Sequence, residues 1–155
     1  MTGVNKFRTL LPLHTHKTAA GYFGNGEAVE PEGWVDASRI GKLNDRMFVC
    51  RAVGRSMEPT IHDGDFLVFR TNVVGTREGK TVLAQYRGAA DPDTGGSFTV
   101  KRYSSAKESD SEGGWRHTKV VLSPTNRDYQ QIILTAKAAD SVQIVAEFVA
   151  ALRPR

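Results

Sequence analysis

From Met47 onward the chain is written in short stretches of apolar or alternating residues, most of them closed by Gly, Pro, Asn or Asp. Such runs are too short for helices and carry the β-branched and aromatic residues that favour a pleated strand. They predict strands over Phe48 to Val53, Phe66 to Phe69, Thr81 to Tyr86, Phe98 to Tyr103, Lys119 to Leu122, Gln131 to Leu134 and Ser141 to Leu152. Two polar inserts, Arg87 to Ser97 and Ser104 to His117, read as long hairpin loops, and Asp110-Ser111-Glu112-Gly113-Gly114 offers the residues that a tight turn uses. No internal repeat and no long helical pattern is visible. The fold class is therefore mainly β, a coiled sheet or half-barrel of antiparallel strands.

The first third reads differently. Met1 to about Ala20 lacks an amphipathic helical repeat and forms an extended N-terminal arm, too short for a helix-turn-helix DNA reader. Gly21-Tyr22-Phe23-Gly24-Asn25-Gly26 tolerates positive φ and favours turns, and Glu27 to Asp45, with Pro31 and Gly33, continues as an exposed connector. The division is thus an arm over 1–20, a connector over 21–46 and a domain over 47–155.

Composition changes this picture little. The chain has 155 residues, 39% hydrophobic and 25% charged, with a formal charge of +4 that is scattered rather than clustered. Weak contact with nucleic acid is permitted, but sequence-specific DNA binding is not expected. No apolar run approaches the ~18 residues of a membrane span, so a cytoplasmic protein without a membrane partner is expected. The single cysteine, Cys50, cannot form an intrachain disulfide, and its apolar neighbours suggest a buried strand position.

Chemistry concentrates in Val53-Gly54-Arg55-Ser56-Met57-Glu58-Pro59-Thr60-Ile61-His62-Asp63-Gly64-Asp65. A serine placed where a strand ends and the backbone turns projects its hydroxyl from a rigid frame, and N–H groups beside it can face a developing oxyanion. By itself this is only a Gly/Ser/Pro turn. A second element, Phe98-Thr99-Val100-Lys101-Arg102-Tyr103, alternates so that Thr99, Lys101 and Tyr103 share one face. Lysine acts as a base only when its amine is neutral, a form that burial among apolar side chains favours. Thr99 stands where it could hold that amine by a hydrogen bond. By itself Lys101 is an ordinary edge-strand charge.

Other candidates carry less. His14 and His16 would face the same way on an extended arm, but no third ligand lies near in sequence, and no metal is expected. His62, six residues after Ser56, offers a Ser-His reading, but its place in a Pro-Thr-Ile-His-Asp-Gly turn makes solvent exposure the expectation. Trp34 and Trp115 read as packing residues, or as anchors if the chain associates.

Together, GRSMEPTIHDGD around Ser56 and FTVKRY around Lys101 resemble the LexA/UmuD serine-lysine peptidases, in that family's order of serine before lysine. Leu122-Ser123-Pro124-Thr125-Asn126-Arg127-Asp128-Tyr129 resembles the family's segment beyond the lysine. The resemblance spans about Ala19 to Leu152. It implies Ser56 as nucleophile and Lys101 as general base, with no metal and no organic cofactor. The N–H groups of Ser56 and Arg55 are the candidate oxyanion donors. The family cuts itself at an Ala-Gly or Cys-Gly bond about three dozen residues before its serine, and Ala20-Gly21 stands at that distance. Two departures are plain. Arg55 replaces a commoner small or apolar residue, and both polar inserts are longer than the family's usual ones. Pro59-Thr60 after the serine also suits type I signal peptidases, which use the same dyad but are anchored in membranes.

With so short an arm before Ala20, the chain is more similar to UmuD than to LexA. That likeness implies a homodimer that responds to the recombinase filament on single-stranded DNA and modulates a translesion polymerase in the DNA-damage response. A regulator from a phage or defence locus, a non-catalytic binding module of the same fold, and a signal-peptidase-like processing enzyme are the alternatives.

Overall fold

Each strand forms where the side chains can be covered on the faces that the pleat presents. The computed structural model describes residues 5–15, 30–71, 78–85, 98–109, 115–135 and 142–152. Its strands are β1 (Leu10–His14), β2 (Gly33–Asp36), β3 (Met47–Arg51), β4 (Phe66–Arg70), β5 (Thr81–Gln85), β6 (Phe98–Ser109), β7 (Trp115–Ser123), β8 (Ile132–Thr135) and β9 (Gln143–Leu152), with one 3-10 turn over Ser38–Ile40. Among the described residues they make one nine-stranded sheet in the order β2-β1-β3-β4-β9-β5-β6-β7-β8. The fold is mainly β, as the sequence predicts. The sheet is mixed rather than wholly antiparallel, because β1 runs parallel to β3.

The central strands are covered on both faces. Residues 47–50 of β3 and 67–69 of β4 are all buried, which is why these strands read as continuous apolar runs and not as alternation. Phe48, Leu67, Phe69, Leu83 and Val100 belong to one apolar cluster, whereas Leu11, Met47, Val49 and Val68 belong to a second. Phe48 and Phe69 stack with ring centroids 5.5 Å apart, and Phe148 meets Phe69 edge-on at 6.2 Å. A third cluster, with Val82, Ala84, Val120, Leu122 and Leu134, carries the sheet toward β8.

Three parts of the chain depart from the sequence reading. Leu10–His14, expected within an arm, is an inner strand between β2 and β3, and Leu11 is fully buried. Gly33–Asp36, expected within an exposed connector, pairs with it antiparallel, and the hydrogen bonds from Glu32 N–H to the Leu13 carbonyl (2.8 Å) and from Ala37 N–H to the Thr9 carbonyl (2.8 Å) close both ends of the pair. The insert Ser104 to His117, expected as a loop, is largely strand: β6 and β7 stay paired from Arg102↔Ser123 out to Ser109↔Trp115, with a bulge between Ala106 and Lys107. Polar composition misleads there because a paired backbone partner satisfies a strand whatever its side chains. The insert Arg87 to Ser97 lies outside the described residues.

If β1 is part of the core, truncating its buried leucine must cost as much as any core deletion. Leu11→Ala is expected to lower the unfolding free energy by about 2–5 kcal/mol, measured by urea denaturation; a loss below about 0.5 kcal/mol would show β1 to be dispensable.

Candidate active site

The loop between β3 and β4 carries Ser56, and its shape is set by backbone hydrogen bonds on both flanks. Ala52 N–H donates to the Asp65 carbonyl (2.7 Å) and Gly64 N–H to the Ala52 carbonyl (2.9 Å), so the loop is pinched at its base. Two carboxylates then brace the interior. Asp63 Oδ1 accepts from Gly54 N–H at 2.8 Å, and the buried Asp65 accepts from His62 N–H through Oδ2 at 2.9 Å. Gly54 and Gly64 stand at φ of 85° and 86°, a region that a side chain would make costly, which accounts for both glycines of the motif. Between them the Glu58-Pro59 peptide is cis, and Ile61 N–H closes a helical turn on the Met57 carbonyl at 2.8 Å.

Lys101 comes from β6, opposite Val82 of β5, and Thr99 lies opposite Ala84, so both polar side chains share a face with small and apolar partners. The pairing of β6 with β7 begins only at Arg102, leaving Thr99 and Lys101 outside that ladder. Their side chains are held together: Lys101 Nζ donates to Thr99 Oγ1 at 2.7 Å, as the two-residue spacing predicts. Thr99 is 1% exposed, Lys101 4% and Ser56 5%, which is unusual for a lysine. Ser56, Thr99 and Lys101 line one cavity with Met57, Leu67 and Val100. The fold thus brings the serine and the lysine of the two sequence motifs to a single, mostly apolar chamber.

A third segment, not singled out by its chemistry in the sequence, closes over the serine. After β7 the chain turns through Pro124 to Tyr129. Asn126 N–H donates to the Ser56 carbonyl (2.9 Å), Asn126 Nδ2 to the Arg55 carbonyl (2.9 Å) and Thr125 Oγ1 to the Glu58 carbonyl (3.1 Å). Arg55 itself points outward, its side chain 74% exposed beside Glu58 at 3.7 Å. An arginine before the serine therefore leaves the chamber unaltered, and a surface pair of this kind contributes little to stability.

This arrangement fits a known family. The model for Peptidase S24-like proteins matches residues 15–149. The chain belongs to the Peptidase S24-like family. No curated protein matches it. Membership makes it a chain of the LexA/UmuD serine-peptidase kind, and the serine loop, the lysine strand and the turn that braces the loop all fall within the S24 match.

The remaining sequence candidates sit elsewhere. Ala20, Gly21, His16 and their neighbours lie outside the described residues, as does the side chain of Trp115. Trp34 is half-buried on β2, packed edge-on against Phe7 at 5.5 Å with Lys6 Nζ 4.6 Å from its ring centre. Cys50 is buried in β3, and burial pushes its thiol far above the ordinary range. His62 is half-buried rather than exposed. Among the described residues no three His, Cys, Asp or Glu side chains gather to hold a metal ion, and no helix is long and apolar enough to cross a membrane.

His14 is 3% exposed, with its ring edge-on to Phe48 at 6.3 Å. Burial pulls its pKa below the ordinary 6.5, a pull that the Glu32 carboxylate partly opposes. The unfolded chain therefore binds this proton more readily than the folded one, so His14 contributes stability above pH 6.5 that fades as the pH falls below it. Unfolding free energies between pH 7.5 and about 5 should fall more steeply for the wild type than for His14→Gln, the difference in slope reaching at most about 1.4 kcal/mol per pH unit. Parallel slopes would refute this role.

Proposed function

We propose that the chain is a self-cleaving peptidase in which Ser56 is the nucleophile and Lys101 its general base. The observation that carries the reading is the shared chamber: a serine and a lysine, 5% and 4% exposed, from two distant segments, the lysine amine hydrogen-bonded to Thr99. Burial of a lysine among apolar groups is costly and serves general-base chemistry, since the neutral amine is the form that can take a proton. The substrate bond is Ala20-Gly21, where small residues let the scissile carbonyl approach a serine held in a narrow chamber.

The reaction runs in two halves. Lys101 removes the proton from Ser56 Oγ, which attacks the Ala20 carbonyl carbon, and the Ser56 N–H with the Arg55 N–H stabilises the oxyanion. The C–N bond to Gly21 then breaks as Lys101 returns its proton to the departing amine, leaving Ala20 as an ester on Ser56. Water attacks the ester carbonyl as Lys101 takes its proton, the bond to Ser56 Oγ then breaks as Lys101 returns that proton to the serine, and free serine and the Ala20 carboxyl group result. The parallel pairing of β1 with β3 supports a cut within one chain: both strands run in the same direction, so the segment after β1 departs from the end of the sheet at which the Ser56 loop departs from β3. The biological setting that fits is a UmuD-like regulator of the DNA-damage response, acting as a homodimer on contact with a recombinase filament.

Self-cleavage should accelerate as the pH rises, because only neutral Lys101 accepts the serine proton; a rate flat between pH 6 and about 10 would remove lysine from the mechanism. Ser56→Ala and Lys101→Ala should each abolish cleavage, as should Lys101→Arg, whose guanidinium stays protonated throughout that range. A binding module would be indifferent to all three substitutions.

The cut itself is read by mass. Wild-type protein incubated at alkaline pH, alone and with the recombinase filament, should yield two products, residues 1–20 and 21–155, under denaturing mass spectrometry. A bulky residue at position 21 should block the cut. Products divided at another bond would overturn the Ala20-Gly21 assignment while leaving the dyad intact.

A further inference from the structure

The turn after β7 touches the serine loop at the two carbonyl groups that flank the nucleophile. Because a peptide unit is planar and trans, a carbonyl and the N–H that follows it belong to one rigid plate and point in opposite directions. The Arg55 carbonyl shares its plate with the Ser56 N–H, and the Ser56 carbonyl shares its plate with the Met57 N–H. Asn126 holds both plates from behind, with its side-chain amide on the Arg55 carbonyl at 2.9 Å and its backbone N–H on the Ser56 carbonyl at 2.9 Å. The Arg55 carbonyl is gripped a second time, by the Glu58 N–H at 3.1 Å. Asn126 is fixed in turn: its Oδ1 accepts from Asp128 N–H at 3.0 Å, and its own carbonyl accepts from Tyr129 N–H at 3.2 Å.

We infer that Asn126 is a positioning residue for the reaction, aiming the N–H groups of Ser56 and Met57 at the oxyanion by holding the carbonyls on their opposite ends. The inference rests on the dyad reading above and refines it. The donor pair becomes Ser56 and Met57, since these are the two plates that Asn126 orients, while the Arg55 N–H lies on a plate that Asn126 does not touch. The same residue ties the nucleophile to the base. Ser123, three residues before Asn126, is paired with Arg102, the residue after Lys101. A short rigid path of backbone thus runs from the lysine strand to the serine loop.

The test compares Asn126→Asp and Asn126→Ala with the wild type and with Ser56→Ala, all as the full chain. Asn126→Asp keeps the acceptor for Asp128 N–H and the backbone N–H to Ser56 but loses the side-chain donor to Arg55, so it carries the test if Asn126→Ala does not fold. Both variants should slow the first-order cleavage rate by about 10- to 100-fold at a temperature where circular dichroism shows them folded, as expected for a misplaced catalytic group. The direction in which the rate changes with pH should stay that of the wild type, since Lys101 is untouched. The ¹⁵N resonance of the Ser56 amide should shift in Asn126→Asp, because its peptide plate has lost a hydrogen bond, a change that loss of global stability alone does not produce. Cleavage within threefold of wild type, or an unshifted Ser56 amide, would overturn the inference. A silent wild type, or cleavage by Ser56→Ala, would instead fail the dyad reading, and the positioning role with it.

Discussion

A lysine amine taken out of water among aliphatic side chains is the most demanding feature of this molecule, since an unpartnered buried polar group costs several kcal/mol. The strand order answers that demand. Lys101 lies on β6 across from Val82, and Thr99, two residues earlier on the same face, supplies a hydroxyl acceptor at 2.7 Å. Met57, Leu67 and Val100 line the cavity that Lys101 shares with Ser56, and the lysine is left only 4% exposed. Without those long-range strand pairings, Lys101 would be an ordinary solvated charge.

The serine half is built on a different principle. Its loop between β3 and β4 has little apolar burial of its own beyond Ala52, Met57 and Ile61, and it is shaped instead by polar contacts: Asp63 on Gly54, Asp65 on His62, Asn126 on Arg55 and Ser56. Hydrogen bonds are directional where apolar contacts are not, so a loop held this way keeps its backbone groups aimed even while its side chains adjust. Packing thus fixes the base, and polar bracing fixes the nucleophile.

How much of this could be read from the sequence depended on the range of the interactions involved. β3, β4, β5 and β9 were legible because their burial writes apolar runs directly into the chain, and the Thr99–Lys101 contact followed from the two-residue period of a strand. β1 was not, since a short apolar stretch ending in His14, with a proline inside it, does not announce a strand until Val49 and Cys50 are placed beside it. β2, with Gly33 at its start and Pro31 just before it, looks like a connector for the same reason. The outer half of the β6–β7 hairpin is polar and strand-like only because each partner satisfies the other. Asn126 lies some seventy residues from the backbone it holds, and no local pattern announces such a contact. The only signal was the likeness of the Leu122 to Tyr129 segment to its counterpart in the family.

The position of β1 has a consequence for what self-cleavage would accomplish. Any cut between Thr15 and Glu30 would separate the chain into pieces that remain one folded particle, because the shorter piece contributes a strand lodged between β2 and β3 with Leu11 fully buried. Hydrolysis would then be a nick, comparable to splitting a protein whose fragments stay complemented. Departure of the short fragment would be a separate event, governed by the local unfolding that frees β1 from β2 and β3 rather than by the chemistry at Ser56. It would uncover the side of β3 now paired with β1, and that newly exposed strand edge, more than the broken bond, would be the signal a partner could read.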